Sequence, residues 1–239
     1  MNPHRLTLHL ISLCLVLTSL TNVSAQKQKT PPGGRVAVVV DERLSALRAT
    51  PDLTGKLVRR LGRGRLVAIK GARTSRDGVV FYSVNVTSRT KGWIQREAVV
   101  SPSRNGDDER LLSLIKSSTD FDRIVRARIL LDYFPRSSLR PDVLLLLGDA
   151  AASAAVKLTR DADRRIGDIK FGASSSYFLN YAGLDRYNRQ GVVFQFNEES
   201  SRLVYDGAAW REIIRRFPRS PQAVDAQKRL NGSEQSQRR

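Results

Sequence analysis

The chain has 239 residues and a formal net charge of +18, from 41 lysines and arginines against 23 acidic residues. Such a charge attracts nucleic acid, anionic lipid headgroups or anionic envelope polymers, unless the arginines only cover an ordinary solvated surface. The only cysteine and both histidines lie before residue 15, which excludes Ser-His-Asp and Cys-His catalysis, thiolate or imidazole zinc sites and disulfides from the rest of the chain.

Residues 1–25 are predicted to be a signal peptide. Arg5 gives a weakly basic start, residues 6–20 are apolar, and residues 23–25 match the small-x-small rule for cleavage. The apolar run is shorter than the roughly 20 residues that a membrane-spanning helix needs. We therefore expect an exported protein, periplasmic or extracellular and associated with the envelope, that does not span a membrane after cleavage.

A lipoprotein acylated at Cys14 is the alternative interpretation of this leader. Cys14 lies in the middle of the apolar run, and the bulky Leu13 precedes it where a small residue is needed. Simple cleavage before Gln26 is therefore favoured. Residues 26–34 are polar and rich in proline and glycine, which predicts a flexible leader.

Residues 35–100 are predicted to form a small all-β domain. Short apolar runs recur about every ten residues and are separated by glycine, proline and aspartate, a pattern typical of barrels and sandwiches. The runs are residues 36–40, 57–61, 66–69, 81–86 and 92–94.

The same stretch resembles the bacterial Src-homology-3-like domain, whose usual pattern is Leu-Asn-Val-Arg-x-x-Pro, Gly-x-x-Val, Trp-x-x-Val and Gly-Trp-Val. The matching residues here are Leu47-Arg48, Pro51, Gly55-Lys56-Leu57-Val58, Leu61, Gly64, Val67, Phe81-Tyr82, Val84 and Gly92-Trp93-Ile94. The chain departs from the pattern at Ser45-Ala46, where the family has Asn, and at Phe81, where it often has Trp. The resemblance implies a small barrel, and both departures lie near the family's usual ligand groove.

Four residues of this domain are candidates for ligand binding. Tyr82 and Trp93 would line an aromatic groove that holds a peptide or glycan stem, and Arg48 or Lys91 would bind a carboxylate. In the alternative, Trp93 fills the barrel core and Tyr82 covers its edge.

Residues 101–108 are predicted to be a linker, and residues 109–230 a helical domain, because the apolar period changes there from 2 to 3.6. The acidic residues 107–109 favour a helix start. Asp120 is predicted to cap a second helix that Pro135 ends, and Ser137 or Ser138 begins a third. Small residues at 148–155 would let a neighbouring helix approach closely. The predicted stripe of the second helix is Ile124, Ala127, Leu131 and Phe134.

The helical part repeats itself, since Phe-Pro-Arg-Ser occurs at residues 134–137 and again at 217–220. With an amphipathic helix before each copy and another after it, this part resembles tetratricopeptide-type helical hairpins. The second copy's predicted residues are Leu203, Trp210, Ile214 and Phe217 before it and Ala223, Ala226 and Leu230 after it.

The middle and the end of the helical part are less regular. Residues 166–197 should hold a degenerate unit with an insertion, including aromatic residues around a short helix and a segment at 192–196 that is either a strand or extended chain. Residues 231–239 are predicted to be a disordered tail. The aromatic residues are Tyr177, Phe178, Tyr181 and Tyr187.

The predicted fold class is therefore α+β with segregated domains: a small all-β Src-homology-3-like barrel, then an all-α tetratricopeptide-like domain. We expect a non-enzymatic adaptor or scaffold of the bacterial cell envelope, without cofactor or metal. Its partners would be an envelope protein or a peptidoglycan peptide, with attraction to anionic polymer or lipid.

Two other functions compete with this expectation. A cell-wall hydrolase would need paired carboxylates between the domains, and a nucleic-acid binder would require that the leader not direct export. The carboxylates are Asp185, Glu198, Glu199, Asp206 and Glu212, although each sits where a helix start or solvated face would place an acid.

Overall fold

The computed structural model describes residue 31 and residues 33–167 and 183–237. The predicted signal peptide and most of the leader lie outside these residues, as do Tyr177, Phe178 and Tyr181. An antiparallel sheet region is followed by helices, so the predicted α+β class with segregated parts is confirmed at that level. Among the described residues, no helix is both long and apolar enough to cross a membrane.

The sheet region contains seven antiparallel strands. Their spatial order is β3-β2-β6-β5-β4-β1-β7, which places β3 and β7 at the two edges. A short 3-10 helix, Arg96–Ala98, precedes the last strand. The strands are β1 (Arg35–Val39), β2 (Ala46–Arg48), β3 (Leu57–Arg60), β4 (Leu66–Thr74), β5 (Val80–Asn85), β6 (Lys91–Gln95) and β7 (Val99–Val100).

Strand β1 is apolar on both faces because both faces are covered. Ala37 and Val39 belong to the core that the sheet encloses. Val38, and Val40 just after the strand, join the core of the helical region instead. Alternate side chains of a strand project to opposite faces, so the uninterrupted apolar run predicts a strand buried on both sides.

The helical region has six helices among the described residues, and a two-stranded hairpin lies between the fourth and the fifth of them. The hairpin consists of β8 (Phe194–Asn197) and β9 (Arg202–Tyr205), paired antiparallel. The helices are α1 (Asp107–Lys116), α2 (Asp120–Tyr133), α3 (Arg140–Gly167), α4 (Asp185–Asn188), α5 (Ala208–Arg216) and α6 (Pro221–Gln237).

Helix α3 lies at the centre of the helical core, in contact with α2, α5 and β9. Its small residues permit this packing, as predicted. Gly148 is buried, and an added Cβ there would overlap the indole ring of Trp210 on α5. Burial of the predicted α2 stripe is also confirmed, since all four of its residues are at most 7% exposed.

The two Phe-Pro-Arg-Ser copies form equivalent turns. The N–H of Phe134 donates to the carbonyl oxygen of Leu130, and the N–H of Ser137 donates to that of Phe134. The second copy repeats both bonds, with Phe217 and Ser220 in the corresponding positions. Each turn ends one helix and leads into the next, so the sequence repeat is also a local structural repeat.

Several predictions in the helical part need correction. Leu203 lies on β9 rather than on a helix, because Gly207, with a φ of 77°, separates that strand from α5. Asp120 does not cap α2 through its side chain; it is the first residue of the helix, with a φ of 50°, and its carboxylate binds Lys157 at 3.0 Å. The segment predicted as strand or extended chain is β8.

The ends of the helical part also differ from prediction. Helix α1 begins at Asp107, inside the predicted linker, and the buried carboxylate of that residue accepts the N–H of Ser101 at 2.8 Å. Helix α6 continues past Leu230 to Gln237, so the predicted disordered tail is helical up to that residue. The Ser233 hydroxyl donates to the Leu230 carbonyl in that extension.

The sheet and helical regions share polar contacts as well as a core. Arg126 on α2 is buried, and its Nε donates to the carbonyl oxygen of Val40 at 3.1 Å. Arg110 on α1 donates to the carbonyl oxygen of Glu97 at 3.0 Å. Both contacts satisfy backbone acceptors at the junction, where unpaired groups would be costly.

Candidate functional site: an arginine and tryptophan surface on the sheet

A row of four residues crosses the outer face of the sheet. Trp93 on β6 is directly opposite Ser83 on β5 and Arg48 on β2. Arg48 is in turn opposite Leu57 on β3. Residues directly opposite each other in antiparallel strands project from the same face. Because Ile94, the next residue on β6, is fully buried in the enclosed core, this row lies on the face that points away from that core.

Two arginines flank the half-buried Trp93 ring. The Cζ atom of Arg73, from β4, lies 5.8 Å from the ring centroid, within the range of a cation–π contact. Arg48 is held by its Nη1, which donates to the carbonyl oxygen of Gly55 at 2.8 Å. Its Nε is buried and has no hydrogen-bond partner among the described residues. The result is a surface that offers one indole and two guanidinium groups.

Close approach of β2 and β6 fixes this geometry. A Cβ added at Gly92 would lie 2.7 Å from the carbonyl oxygen of Arg48 and 2.8 Å from Cγ of Leu47. Only glycine therefore permits the two strands to come this close. The position next to Trp93 is glycine for a packing reason that the sequence pattern alone does not reveal.

The loop before β3 is fixed by Asp52. Its carboxylate accepts hydrogen bonds from the Thr54 backbone N–H at 2.7 Å and from the Thr54 hydroxyl at 2.8 Å. These bonds, with smaller contributions from the positive charges of Arg76 and Arg48, hold the pKa of Asp52 below its ordinary value. The loop that positions the Arg48 guanidinium therefore carries a negative charge on Asp52 at neutral pH.

The structure places three of the four predicted ligand-binding residues on one face. Arg48 and Trp93 are direct neighbours, and Lys91, two positions before Trp93 on the same strand, is exposed on the same side. Tyr82 is on the opposite face, where its ring packs in the enclosed core and its hydroxyl accepts from Arg104 at 3.3 Å. The structure therefore does not bring Tyr82 together with the other three.

The alternative interpretation, in which Trp93 fills the barrel core and Tyr82 covers its edge, also needs correction. Trp93 belongs to neither core, whereas Tyr82 belongs to the enclosed core. The alternation of side chains along the strand could have shown that Tyr82 faces the core, since Val84 and Val86 follow it at intervals of two residues. Arg73 was missed because its place beside Trp93 depends on a register shift between Ile69 and Gly71. No local pattern signals that shift.

The predicted carboxylate candidates are engaged in local contacts or solvated. The Asp206 carboxylate accepts the Ala208 N–H at 3.0 Å at the start of α5. Glu212 binds Arg216 at 2.9 Å. The remaining three are exposed, Glu198 and Glu199 in the β8–β9 turn and Asp185 on α4.

A polar cleft of about 390 Å³ lies between the sheet and helical regions. Two residues that line the cleft, Arg63 and Asp122, form an ion pair across the junction. Both Arg63 Nη atoms donate to the Asp122 carboxylate, at 2.5 and 3.1 Å. Burial, and to a lesser degree the Arg63 charge, lowers the pKa of Arg126, which also lines the cleft and donates to the Ser118 hydroxyl. We assign this cleft to holding the two regions together.

Comparisons with protein-family models, with curated proteins and with solved structures gave no match for the chain.

Proposed function

We propose that this protein is a non-enzymatic adaptor or scaffold of the bacterial cell envelope. In this proposal the sheet region is a Src-homology-3-like module that binds peptide or cell-wall ligands. The helical region is a divergent tetratricopeptide-like module that binds protein partners. The leader directs export, and the strong positive charge keeps the protein near anionic polymer or lipid.

The observation that carries this proposal is the outer-face surface around Trp93. A half-buried indole beside two guanidinium groups and the Lys91 ammonium suits a ligand with an apolar part and a carboxylate, such as a peptide stem. Arginine and tryptophan are the residue types that most often dominate binding energy at interfaces.

The helical assignment is supported by repetition. Helices α2 and α3 form one helical hairpin, and α5 and α6 form another. The turn within each hairpin has the same sequence and equivalent hydrogen bonds. Repetition of a helix–turn–helix unit is typical of tetratricopeptide-like arrays, whose stacked units present extended binding surfaces. The β8–β9 hairpin and the long α3 are departures from a regular array.

The proposal is tested by sedimenting the full chain with purified cell-wall sacculi. We expect the protein to pellet with the sacculi without releasing soluble fragments. The interaction should weaken as ionic strength approaches about 1 M, where the screening length falls to about 3 Å. Pelleting should fall at least about tenfold for Trp93→Ala, the effect of removing an aromatic anchor.

A test variant and its matched control separate this result from general charge effects. Arg48→Gln removes a charge from the surface, whereas Arg219→Gln removes the same charge from an exposed position after α5. Only the first should weaken pelleting. Equal behaviour of the two variants would contradict the surface assignment, and release of soluble fragments that Glu198→Gln abolishes would establish a hydrolase instead.

A further inference from the structure

Strand β3 is an edge strand that neither core covers. Among the described strands it hydrogen-bonds to β2 alone, and it is outermost in the sheet order. All four of its residues are exposed, and Leu57 and Val58 are each 47% exposed. Leu53, in the preceding loop, is 40% exposed. Half of the large exposed apolar side chains among the described residues therefore lie within this short segment.

The backbone of β3 has hydrogen-bonding groups available for another strand. The carbonyl of Lys56 accepts the N–H of Ala49, and the N–H of Leu61 donates to Ser45, so Lys56 and Leu61 are bonded toward β2. Backbone groups of successive residues in an antiparallel strand alternate in direction. Val58 has no partner in the register between β2 and β3, so the alternation shifts by one residue there, and the N–H and C=O groups of Leu57 and Arg60 point away from β2.

The edge is strongly basic and lacks internal neutralisation. Lys56, Arg59 and Arg60 are exposed in sequence order along it. Within the described parts of the chain, no carboxylate forms an ion pair with any of the three. Leu57 also continues the cross-strand row of Trp93 and Arg48, so the edge and the candidate site form one continuous surface.

We propose that β3 binds an acidic, extended peptide segment by strand addition. The segment would pair with the outward backbone groups of Leu57 and Arg60, place apolar side chains against Leu57, and place carboxylates near the three cations. Main-chain hydrogen bonds provide affinity in this mode, and the alternating side chains provide specificity. The inference rests on the proposed binding function and names the class of partner.

Charge selects this occupant over a second copy of the chain. Lys56, Arg59 and Arg60 are exposed along this edge, and cations on an edge discourage pairing with an identical edge. Two such edges brought together would place six cations side by side. A segment that alternates apolar and acidic residues would meet no such repulsion.

The test uses the full chain and a fluorescent synthetic peptide of alternating glutamate and valine. Fluorescence anisotropy should show saturable binding, and amide exchange should slow at Leu57 and Arg60. A lysine–valine peptide should not bind. A glutamate–valine peptide with N-methyl groups at alternate residues should bind at least about tenfold more weakly, because it cannot donate the ladder hydrogen bonds.

A matched pair of triple variants tests the charges. Lys56→Gln/Arg59→Gln/Arg60→Gln should weaken peptide binding about tenfold, as expected for the loss of several surface ion pairs. Lys116→Gln/Arg136→Gln/Arg219→Gln removes the same charges from exposed positions on the helical region and should change binding less than about twofold.

The inference would be overturned by equal binding of the N-methylated peptide, by equal loss in both triple variants, or by amide protection confined to residues away from β3. Dimerisation of the chain with protected Leu57 and Arg60 amides would assign the edge to a second copy. If the chain pellets with sacculi through Trp93 but does not bind the acidic peptide, strand addition alone would be overturned. The proposed function would then still stand.

Discussion

Strands β1 and β3 belong to the same sheet and both carry adjacent apolar residues, yet their surroundings are opposite. The last three residues of β1 are fully buried, between the enclosed core on one face and the helical core on the other. Every residue of β3 is exposed. The difference shows that the helical region completes the sheet on one side and leaves the other side open. Burial is thus concentrated at β1, and the exposed edge at which we propose binding is β3.

The largest expected effect is that of a charge placed on the helical face of β1. Val38→Asp should reduce the free energy of unfolding by at least about 4 kcal/mol, because Val38 is fully buried and its new carboxylate would have no partner. Val58→Asp, on β3, should change it by less than about 0.5 kcal/mol. Urea unfolding of the two variants measures the contrast, and similar losses would contradict the account.

Removing the buried guanidinium that links Val40, the residue after β1, to α2 should have the next largest effect. Arg126→Met deletes the donor to the Val40 carbonyl and should cost about 1–3 kcal/mol, the penalty for leaving a buried acceptor unpaired. Arg128→Met, on the same helix, breaks only a surface pair with Asp132 at 3.5 Å and should cost less than about 1 kcal/mol. Chemical denaturation distinguishes the two; unchanged or increased stability of Arg126→Met would contradict a structural role for the bond.

The ion pair across the junction should make stability depend on pH. Hydrogen bonding and charge from Arg63 lower the pKa of Asp122 in the folded state. Stability from this pair is therefore present above the unfolded-state pKa of about 3.9 and is lost as pH falls through the lower folded-state value. The loss should be at most about 1 kcal/mol, because the Asp122 side chain is 53% exposed.

Asp122→Asn should remove that part of the acid dependence in urea unfolding measured between about pH 6 and pH 2. Asp163→Asn, at an exposed position on α3, controls for the loss of one negative charge. An identical pH profile for wild type and Asp122→Asn would contradict the assignment of this pair to the junction.

The smallest expected effect on stability is at the open edge itself. Leu57→Ala should change the free energy of unfolding by less than about 0.5 kcal/mol, whereas Leu47→Ala, fully buried on the neighbouring strand, should cost about 2–5 kcal/mol. The same Leu57→Ala variant should weaken binding of the glutamate–valine peptide. Thermal unfolding and anisotropy measured on one preparation compare the two effects.

Local patterns predicted the elements better than their partners. The apolar run at 36–40 predicted β1, and the spacing of Ile124, Ala127 and Leu131 predicted the buried face of α2, because both periods follow from backbone geometry alone. Leu203 was misassigned because its spacing from Trp210 fits a helical period. The alternation of Leu203 with Tyr205, both buried on β9, was the signal that favoured a strand.

The candidate site was predicted only in part for a related reason. Lys91 and Trp93 share a strand, so their common face follows from alternation. The positions of Arg73 and Leu57 beside that face depend on strand order and on two register shifts, which short sequence motifs do not encode. Nonlocal register therefore limited the prediction of the site, whereas composition and periodicity were sufficient for the α+β class.

The most direct test of the central claim uses Trp93 as a reporter on the outer face of the sheet. The chain has two tryptophans, and Trp210 is buried in the helical core, where its indole N–H has no hydrogen-bond partner in the part of the chain that the structure describes. Trp210→Phe therefore leaves Trp93 as the sole tryptophan emitter. Titration of this variant with solubilised cell-wall fragments should change its emission saturably, and Arg48→Gln should abolish the change. Unaltered Trp93 emission at fragment concentrations that compete the protein off sacculi would contradict the account.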